Sequence, residues 1–508
     1  MAILNADSFI GVAGAGAMGA GIAQVAAQAG HRVIVLDRDE DALVRGRDVV
    51  AKGAAALLKR GKIDEGEAAA LQARISWTLD AGDLSPAALV IEAIIENADA
   101  KQSLYASLES VLSPNAVIAT NTSSLSVTAL AARIGRPRRF MGLHFFNPAP
   151  VMKLVEVVAG LDTDAALKEE ALALVTSWGK VAVMVRDVPG FIVNRVARPF
   201  YGEGWRAYEE GAADAATLDF VYRDLAGFRM GPFELGDLIG HDVNYESAKS
   251  VFDAYFGKTR FHPSLLQGQL AAAGRLGRKS GRGVFDYSDC AEKPGPKFEP
   301  EAAEKPRSIF VGGEAADMRF LLEACGVAFE PLTDQGCERE AKVDDVDVSF
   351  TFGETARKMA RAPGYSCVVL DWMRDPKSAR AIAFAASDDR AREAARKLAA
   401  ALGKKSVELA DGPGLVVFRT LAQLANCAAD AIRDNVAEAA AIDKAMMNGV
   451  NYPFGPMQWA REYGVVKLCD ALHEIALETS DEIYRPSEAL NAEAHQELIN
   501  AQRKRTAD

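Results

Sequence analysis

Ser8-Phe-Ile-Gly-Val-Ala-Gly14-Ala-Gly16-Ala-Met-Gly19 is a short apolar run that breaks into three glycines spaced G-x-G-x-x-G. An uncharged small-residue stretch follows and stops near Gly30, and Arg32-Val-Ile-Val-Leu36 then leads to Asp37. The pattern reads as buried strand, glycine turn, helix and second strand, one βαβ unit of about 30 residues. Each part has a physical task in holding a dinucleotide. Gly14 permits the tight turn, Gly16 lets the backbone approach a pyrophosphate, and Gly19 lets helix and strand pack closely. Ala17 and Met18 complete the turn, where free N–H groups and the positive end of the helix dipole face the phosphates. Asp37, 18 residues after Gly19, is placed to accept bonds from the adenosine ribose hydroxyls and to repel a 2′-phosphate. NAD rather than NADP is the expected cofactor.

Working outward, strands are expected at Leu89–Ile95, Ala116–Thr120, Phe140–Phe146, Leu154–Val158 and Val181–Val185, with helical patterns between most of them. Such alternation means a mostly parallel sheet covered on both faces. The charged stretch 39–75 reads as an inserted helical hairpin. After Asp187-Val-Pro-Gly190 the pattern turns helical as far as about Tyr287, and four prolines among charges mark 288–306 as an exposed linker. The expected fold class is α/β. A Rossmann-type doubly wound sheet (1–186) precedes an all-helical domain (187–287), the linker (288–306), a degenerate α/β segment (307–410) and a second helical copy (411–508).

The duplication rests on one fixed offset of 224 residues. Asp187-Val-Pro-Gly-Phe-Ile-Val-Asn-Arg195 recurs as Asp411-Gly-Pro-Gly-Leu-Val-Val-Phe-Arg419. Ala213, Ala215, Ala216 and Asp219 match Ala437, Ala439, Ala440 and Asp443, and Gly231-Pro232 and Gly240 match Gly455-Pro456 and Gly464. Residues 307–410 show strand patterns at Ile309–Val311, Val346–Phe350 and Cys367–Leu370 but no glycine fingerprint, as in a shrunken relative of the first domain.

Bulk properties narrow the class. The 508 residues carry a formal charge of −12, which argues against a nucleic-acid partner. Six scattered cysteines (Cys290, Cys325, Cys337, Cys367, Cys427 and Cys469) show no metal or redox spacing and read as buried thiols in a reducing cytoplasm. The uncharged run Ser8–Gly30 holds six glycines, and Gln24 and Gln28 interrupt it, so it is not a membrane span. No metal and no membrane contact are expected.

The chemistry points to Met141-Gly-Leu-His-Phe-Phe-Asn-Pro-Ala-Pro-Val-Met-Lys-Leu-Val-Glu-Val157. A strand delivers His144, a turn on Asn147-Pro148 reverses the chain, and a second strand brings Glu156 back beside it. A carboxylate paired with an imidazole fixes its tautomer, which a base removing a hydroxyl proton requires. Of the six histidines (His31, His144, His241, His262, His473 and His495), His144 alone stands at the carboxyl end of an expected sheet strand, where open α/β sheets place ligands.

These motifs, with Asn121-Thr-Ser-Ser124, Pro189–Arg195 and Gly231–Gly240, make residues 8–287 resemble the 3-hydroxyacyl-CoA dehydrogenase family. The second helical copy is similar to its long bacterial form, whose named activity is on 3-hydroxyadipyl-CoA in phenylacetate catabolism. The resemblance implies oxidation of an L-3-hydroxyacyl-CoA to the 3-ketoacyl-CoA, with 3-hydroxyadipyl-CoA or 3-hydroxybutyryl-CoA as substrate. His144 is then the general base and Glu156 its orienting partner. Ser123 would hydrogen-bond the substrate oxygen, and Asn194 would hold the acyl group. Glu96, Lys101, Asn121 and Asn147 would lie on the cofactor side, and Lys59, Arg60 and Lys62 could bind the CoA phosphates.

The second half reads as structural, since the offset sets Phe418 against Asn194 and Val368 against His144. Short members of the family dimerise through their helical domains, so the fused copy would provide that surface within one chain, as a monomer or in a homo-oligomer. Competing readings are a dehydrogenase of a free hydroxy or sugar acid and a non-catalytic NAD-binding protein. A multifunctional β-oxidation subunit is disfavoured because the first strand starts within ten residues of Met1.

Overall fold

A computed structural model describes residues 4, 5, 7–332, 341–362 and 364–505, so Cys337 lies outside the described residues. The chain groups into two compact units, residues 1–195 with 434–451 and residues 196–433 with 452–508.

The first unit is built on eight strands: β1 (Ile10–Ala13), β2 (Val33–Leu36), β3 (Ile75–Thr78), β4 (Leu89–Glu92), β5 (Val117–Thr120), β6 (Phe140–Phe145), β7 (Leu154–Ala159) and β8 (Val181–Arg186). They lie in the order β3-β2-β1-β4-β5-β6-β7-β8. Pairings are parallel except β6 with β7. Strands β1, β4 and β5 are buried along their whole length. A parallel strand covered on both faces has no polar side to alternate with, which explains their unbroken apolar runs. The order reverses between β1 and β4, a topological switch point, and the glycine turn follows β1 there.

Strand β3 was not expected from the sequence. It sits at the sheet edge with only Ile75 buried, so it needs no continuous apolar run. The hairpin before it forms as expected from helices Glu40–Lys59 and Glu65–Ala73. Asp39 caps the first helix, and Asp64 with Glu67 forms a capping box on the second. Segment 434–451 belongs to this unit, and its helix Ala439–Gly449 packs on β7 and β8.

The second unit holds β9 (Ile309–Val311), β10 (Glu330–Pro331), β11 (Ala341–Val343), β12 (Val346–Phe350), β13 (Cys367–Leu370), β14 (Ala381–Ala386) and β15 (Lys405–Glu408). Their order is β10-β9-β11-β12-β13-β14-β15. Strands β9, β12 and β13 match the sequence reading. Strand β14, Ala-Ile-Ala-Phe-Ala-Ala, escaped it because alanine carries helix propensity and the strand is chosen by its neighbours in the sheet. The sheet repeats the end of the first one, with β13 antiparallel to β14 and β14 parallel to β15.

Register corrects one residue correspondence. Val183 in β8 pairs with Glu156, which pairs with His144. The 224-residue offset carries Val183 to Val407, which pairs with Ala383, whose carbonyl accepts the Asp371 N–H. Asp371, not Val368, therefore stands where His144 stands, and Ala383 replaces Glu156. A uniform offset fails here because the connection from β14 to β15 is shorter than that from β7 to β8: Ala383 and Val407 are 24 positions apart, Glu156 and Val183 are 27.

The helical copies mirror one another at backbone level. Gly240 and Gly464 both turn the chain between helices at φ near +100° (102° and 101°), and Phe191 and Leu415 both adopt positive φ (47° and 52°) after a glycine. In the first unit the Arg186 N–H donates to the Val436 carbonyl at 3.0 Å, and Arg195 Nη2 lies 2.5 Å from Asp434 Oδ2. In the second unit the same two contacts recur between residues displaced by 224. The Ala410 N–H donates to the Ala212 carbonyl at 2.9 Å, and Arg419 Nη2 lies 2.8 Å from Glu210 Oε2. Reciprocal contacts of this kind are the mark of an isologous interface, here written into one chain.

None of the described cysteines forms a disulfide. Burial holds for Cys367, Cys427 and Cys469, but Cys290 is exposed, since its proline-rich segment has no core to enter. No helix among the described residues is long and apolar enough to cross a membrane.

Candidate active site

The three glycines of the turn are needed for three different reasons. Gly14 has φ +109°, and a Cβ there would meet the Ala93 carbonyl oxygen at 2.6 Å. A Cβ on Gly19 would lie 1.8 Å from the Gly14 carbonyl oxygen. Gly16 is different: its φ is ordinary, and a Cβ would meet nothing within 4 Å. Protein packing does not ask for glycine at Gly16, whereas close approach of a ligand to the backbone does.

The helix that follows, Ala17–Gln28, begins without a side-chain cap and without an acidic residue in its first turn. Its N–H groups at Ala17 and Met18 are thus left to an anion. Asp37 is half-buried at the end of β2, and its carboxylate braces the turn by accepting the Ala15 N–H at 2.7 Å and the Asp39 N–H at 3.2 Å. A carboxylate offers about four acceptor directions, so capacity remains for hydroxyls of a ribose. These residues fit a dinucleotide.

Beside the turn lies a polar cluster that sequence reading only partly found. Glu96 Oε1 accepts from Thr122 Oγ1 at 2.5 Å, from the Ser123 and Ser124 N–H groups at 3.0 and 3.2 Å and from Ser124 Oγ at 2.9 Å. Lys101 is 1% exposed and reaches Glu96 at 3.3 Å and Glu92 at 2.6 Å. Glu92 itself was overlooked. It is fully buried at the end of β4 and also accepts from Tyr105 Oη, Thr120 Oγ1 and the Ile94 N–H at 2.7–2.8 Å. The signal was present: a carboxylate ending an apolar strand, answered by Lys101 and Tyr105 four residues apart on one helical face.

Burial works to raise the Glu96 pKa, but hydrogen bonds from Thr122, Ser124 and Ser123 and the charge on Lys101 outweigh it, and the carboxyl is held below its ordinary 4.5. A lowered carboxylate pKa stabilises the fold above the unfolded value, and this stabilisation drains away as pH falls through the folded one. Glu96→Gln should therefore melt below the wild type at pH 7, and the difference in Tm should shrink as the pH approaches about 3. Thermal denaturation at a series of pH values checks this.

The geometry around His144 is local to β6, β7 and the turn after β8. His144, 7% exposed, is the penultimate residue of β6, directly across from Glu156. Its Nδ1 lies 2.7 Å from Glu156 Oε2, so Nδ1–H donates and Nε2 is left with its lone pair. The other oxygen, Glu156 Oε1, accepts the Ile192 and Val193 N–H groups at 2.9 and 3.0 Å. One fully buried carboxylate thus orients the imidazole and caps the single helical turn Val193–Val196, which carries Asn194. The rings of Phe146 and Phe191 lie 4.5 and 5.7 Å from the imidazole and shield it. Asn121 Oδ1 accepts the Phe145 N–H at 2.8 Å and fastens the end of β6, while the N–H of Ser123 hangs on Glu96.

Asn147 is exposed in the β6–β7 turn, joined to Pro148 by a cis peptide bond. Lys180, unforeseen from sequence, donates to the Ala149 and Met152 carbonyls at 2.5 and 2.8 Å across that turn. Burial lowers its pKa to about 8.

Lys59, Arg60 and Lys62 gather at the exposed tip of the hairpin, with no ion pair to a neighbouring carboxylate among the described residues. Two other histidines are structural. His31 Nδ1 bonds the Ser8 carbonyl, and His241 Nε2 bonds Asp237 at 2.7 Å. Asp237 also accepts from Val284, Phe285 and Tyr287, so that pair is a satisfied packing node.

In the second copy Asp371 spends its carboxylate on the Val416, Val417 and Phe418 N–H groups at 2.7–3.0 Å, and burial raises its pKa to about 6. Phe418, in Asn194's place, packs edge-on against Trp459 and at a tilt against Tyr463. The helix cap survives there, and the imidazole does not.

Comparison with known proteins matches this arrangement to three family models. Residues 9–188 match the NAD-binding domain of 3-hydroxyacyl-CoA dehydrogenase, and 190–287 and 414–506 both match its C-terminal domain. Residues 348–413 match the reduced Rossmann-fold domain of 3-hydroxybutyryl-CoA dehydrogenase. A 3-hydroxyadipyl-CoA dehydrogenase of Escherichia coli is 42% identical over 96% of this chain and 97% of its own. The crystal structure of a 3-hydroxybutyryl-CoA dehydrogenase from Escherichia coli superimposes with a TM-score of 0.88 at 40% identity, covering 98% of this chain and all of that one. The shorter (S)-3-hydroxybutyryl-CoA dehydrogenase from Ralstonia eutropha covers 56% of this chain at 37% identity and a TM-score of 0.54, all of its own length being matched. The chain belongs to the 3-hydroxyacyl-CoA dehydrogenase family and is an NAD-dependent oxidoreductase of it.

Proposed function

We propose that the chain oxidises the C3 hydroxyl of an L-3-hydroxyacyl-CoA thioester, with His144 as the general base. The observation that carries this reading is the buried His144–Glu156 pair, 2.7 Å apart near the carboxyl end of β6, on the same sheet edge as the dinucleotide turn that follows β1. NAD, when bound, accepts the hydride from C3. His144 Nε2 takes the hydroxyl proton, and the imidazolium so formed keeps its Nδ1–H on the Glu156 carboxylate, where opposite charges meet in a shielded site. The Ser123 hydroxyl donates to the substrate oxygen, and the Asn194 amide orients the acyl group. Gly14, Gly16, Ala17, Met18, Gly19 and Asp37 hold the dinucleotide, with Glu96, Lys101, Asn121 and Asn147 on its nicotinamide side. Lys59, Arg60 and Lys62 are offered to the CoA phosphates.

For the acyl group we take 3-hydroxyadipyl-CoA as the first candidate and 3-hydroxybutyryl-CoA as the second, since a full-length relative carries each name, at 42% and 40% identity. In the forward direction kcat/KM for 3-hydroxyadipyl-CoA should exceed that for 3-hydroxybutyryl-CoA by on the order of ten-fold, the scale a few substrate contacts supply. NADH absorbance with both thioesters decides it, and the reverse order overturns the assignment. The reading also takes the protein as cytoplasmic and as a monomer in which the second helical copy supplies the surface that a partner subunit supplies elsewhere.

A further inference from the structure

The segment 434–451 comes from the second helical copy yet lies within the first unit, against the elements that carry the reacting groups. Three contacts define what it does there. Asp434 Oδ2 lies 2.5 Å from Nη2 of Arg195, a guanidinium with no exposed surface. The Arg186 N–H and side chain bond the Val436 and Asp434 carbonyls at 3.0 and 3.3 Å. A Cβ on Gly449 would meet Leu154 Cδ2 at 2.5 Å and Val193 Cγ2 at 3.1 Å, so the helix Ala439–Gly449 lies directly on β7 and on the turn Val193–Val196.

That turn is four residues long and is set off by Ala197 from the helix Arg198–Glu209, and the approach through Gly190 and Phe191 runs at positive φ, strained for phenylalanine. It is held at its start by Glu156 and at its end by Arg195, and Asn194 sits between the two holds. We propose that Asp434 is a positioning residue for the reaction, acting through Arg195 on the turn that bears Asn194 and feeds N–H groups to Glu156. The second copy, which has no imidazole of its own in the equivalent place, then serves catalysis in the first. This rests on the roles given above to Asn194 and Glu156.

The mirrored pair supplies the control. Glu210 holds Arg419 as Asp434 holds Arg195, with Glu203 Oε2 adding a second hold 2.9 Å from Arg419 Nε, but next to Asp371 and Phe418, where no chemistry is assigned. In the full-length protein Asp434→Ala should lower kcat on the order of ten- to a hundred-fold, the scale of a small misplacement of a reacting group, with KM for NAD nearly unchanged. Asp434→Glu should recover most of the rate. Glu210→Ala should cost a comparable fall in Tm while leaving kcat near wild type.

A wild-type kcat for Asp434→Ala, or an equal loss of kcat in Glu210→Ala, overturns the proposal. Should Asp434→Ala fail to fold, the near-isosteric Asp434→Asn takes its place, and a wild-type kcat there overturns it equally. Asn194→Ala separates the two levels. If it keeps the full rate, the reading of the site falls and the proposal with it; if it loses rate while Asp434→Ala does not, only the proposal falls.

Discussion

His144→Ala should lower kcat/KM for the hydroxyacyl-CoA by about 10²- to 10⁴-fold, the range that positioned general bases supply. In barrier terms this is about 3 to 5 kcal/mol. The affinity for NADH, read by fluorescence titration, changes little, because no hydrogen bond links the imidazole to the glycine turn. Removing the ring also leaves Glu156 Oε2 without its partner in a fully buried place. His144→Gln, which keeps bulk and a donor toward Glu156, separates loss of chemistry from loss of fold. Rates of both variants within ten-fold of wild type would sink the assignment of the base.

Glu156→Gln should be nearly as damaging, for a different reason. The side chain has two duties: Oε1 accepts two N–H groups and Oε2 accepts the imidazole Nδ1–H. A glutamine can keep its carbonyl on the N–H groups of Ile192 and Val193, but its NH₂ then faces Nδ1. The ring must turn its Nδ1 lone pair toward that donor and carry its proton on Nε2, where the substrate hydroxyl needs an acceptor. A wrong-tautomer substitution of this type in the serine-protease triad costs about 10⁴ in kcat, and a loss of about 10³ to 10⁴ is expected here, with Tm shifted by only a few degrees. Glu156→Ala strips both duties and should also lower Tm markedly, since it orphans two buried N–H groups. A Glu156→Gln enzyme that turns over at a tenth of the wild-type rate or better would show that the tautomer is set by something else.

Much of this was legible in the chain. The strand–turn–helix grammar around Gly14, Gly16 and Gly19 is local, and the steric demands at Gly14 and Gly19 can be met only by glycine, while Gly16 keeps the backbone open to a ligand. The pairing of His144 with Glu156 was legible because a short turn between two apolar strands leaves few registers. Strand β3 and the alanine-rich β14 were not, because an edge strand and a run of small residues take their state from neighbours rather than from their own periodicity. Lys180 was not, because a buried charge reads as a surface one until its partners are found, whereas Glu92 was legible through Lys101 and Tyr105 but overlooked. The substitution of Asp371 for His144 was hidden by a uniform offset that the strand register breaks.

By itself, the order of residues determined the glycine turn, the pairing of His144 with Glu156 and the fact of duplication, all of which depend on contacts between residues near in sequence or on repetition along it. Only the tertiary structure decided how the halves exchange their segments. Arg195 meets Asp434, and Arg419 meets Glu210, across more than 200 positions. No local pattern encodes a contact of that span. It exists because the buried guanidinium of each copy finds its carboxylate on the other.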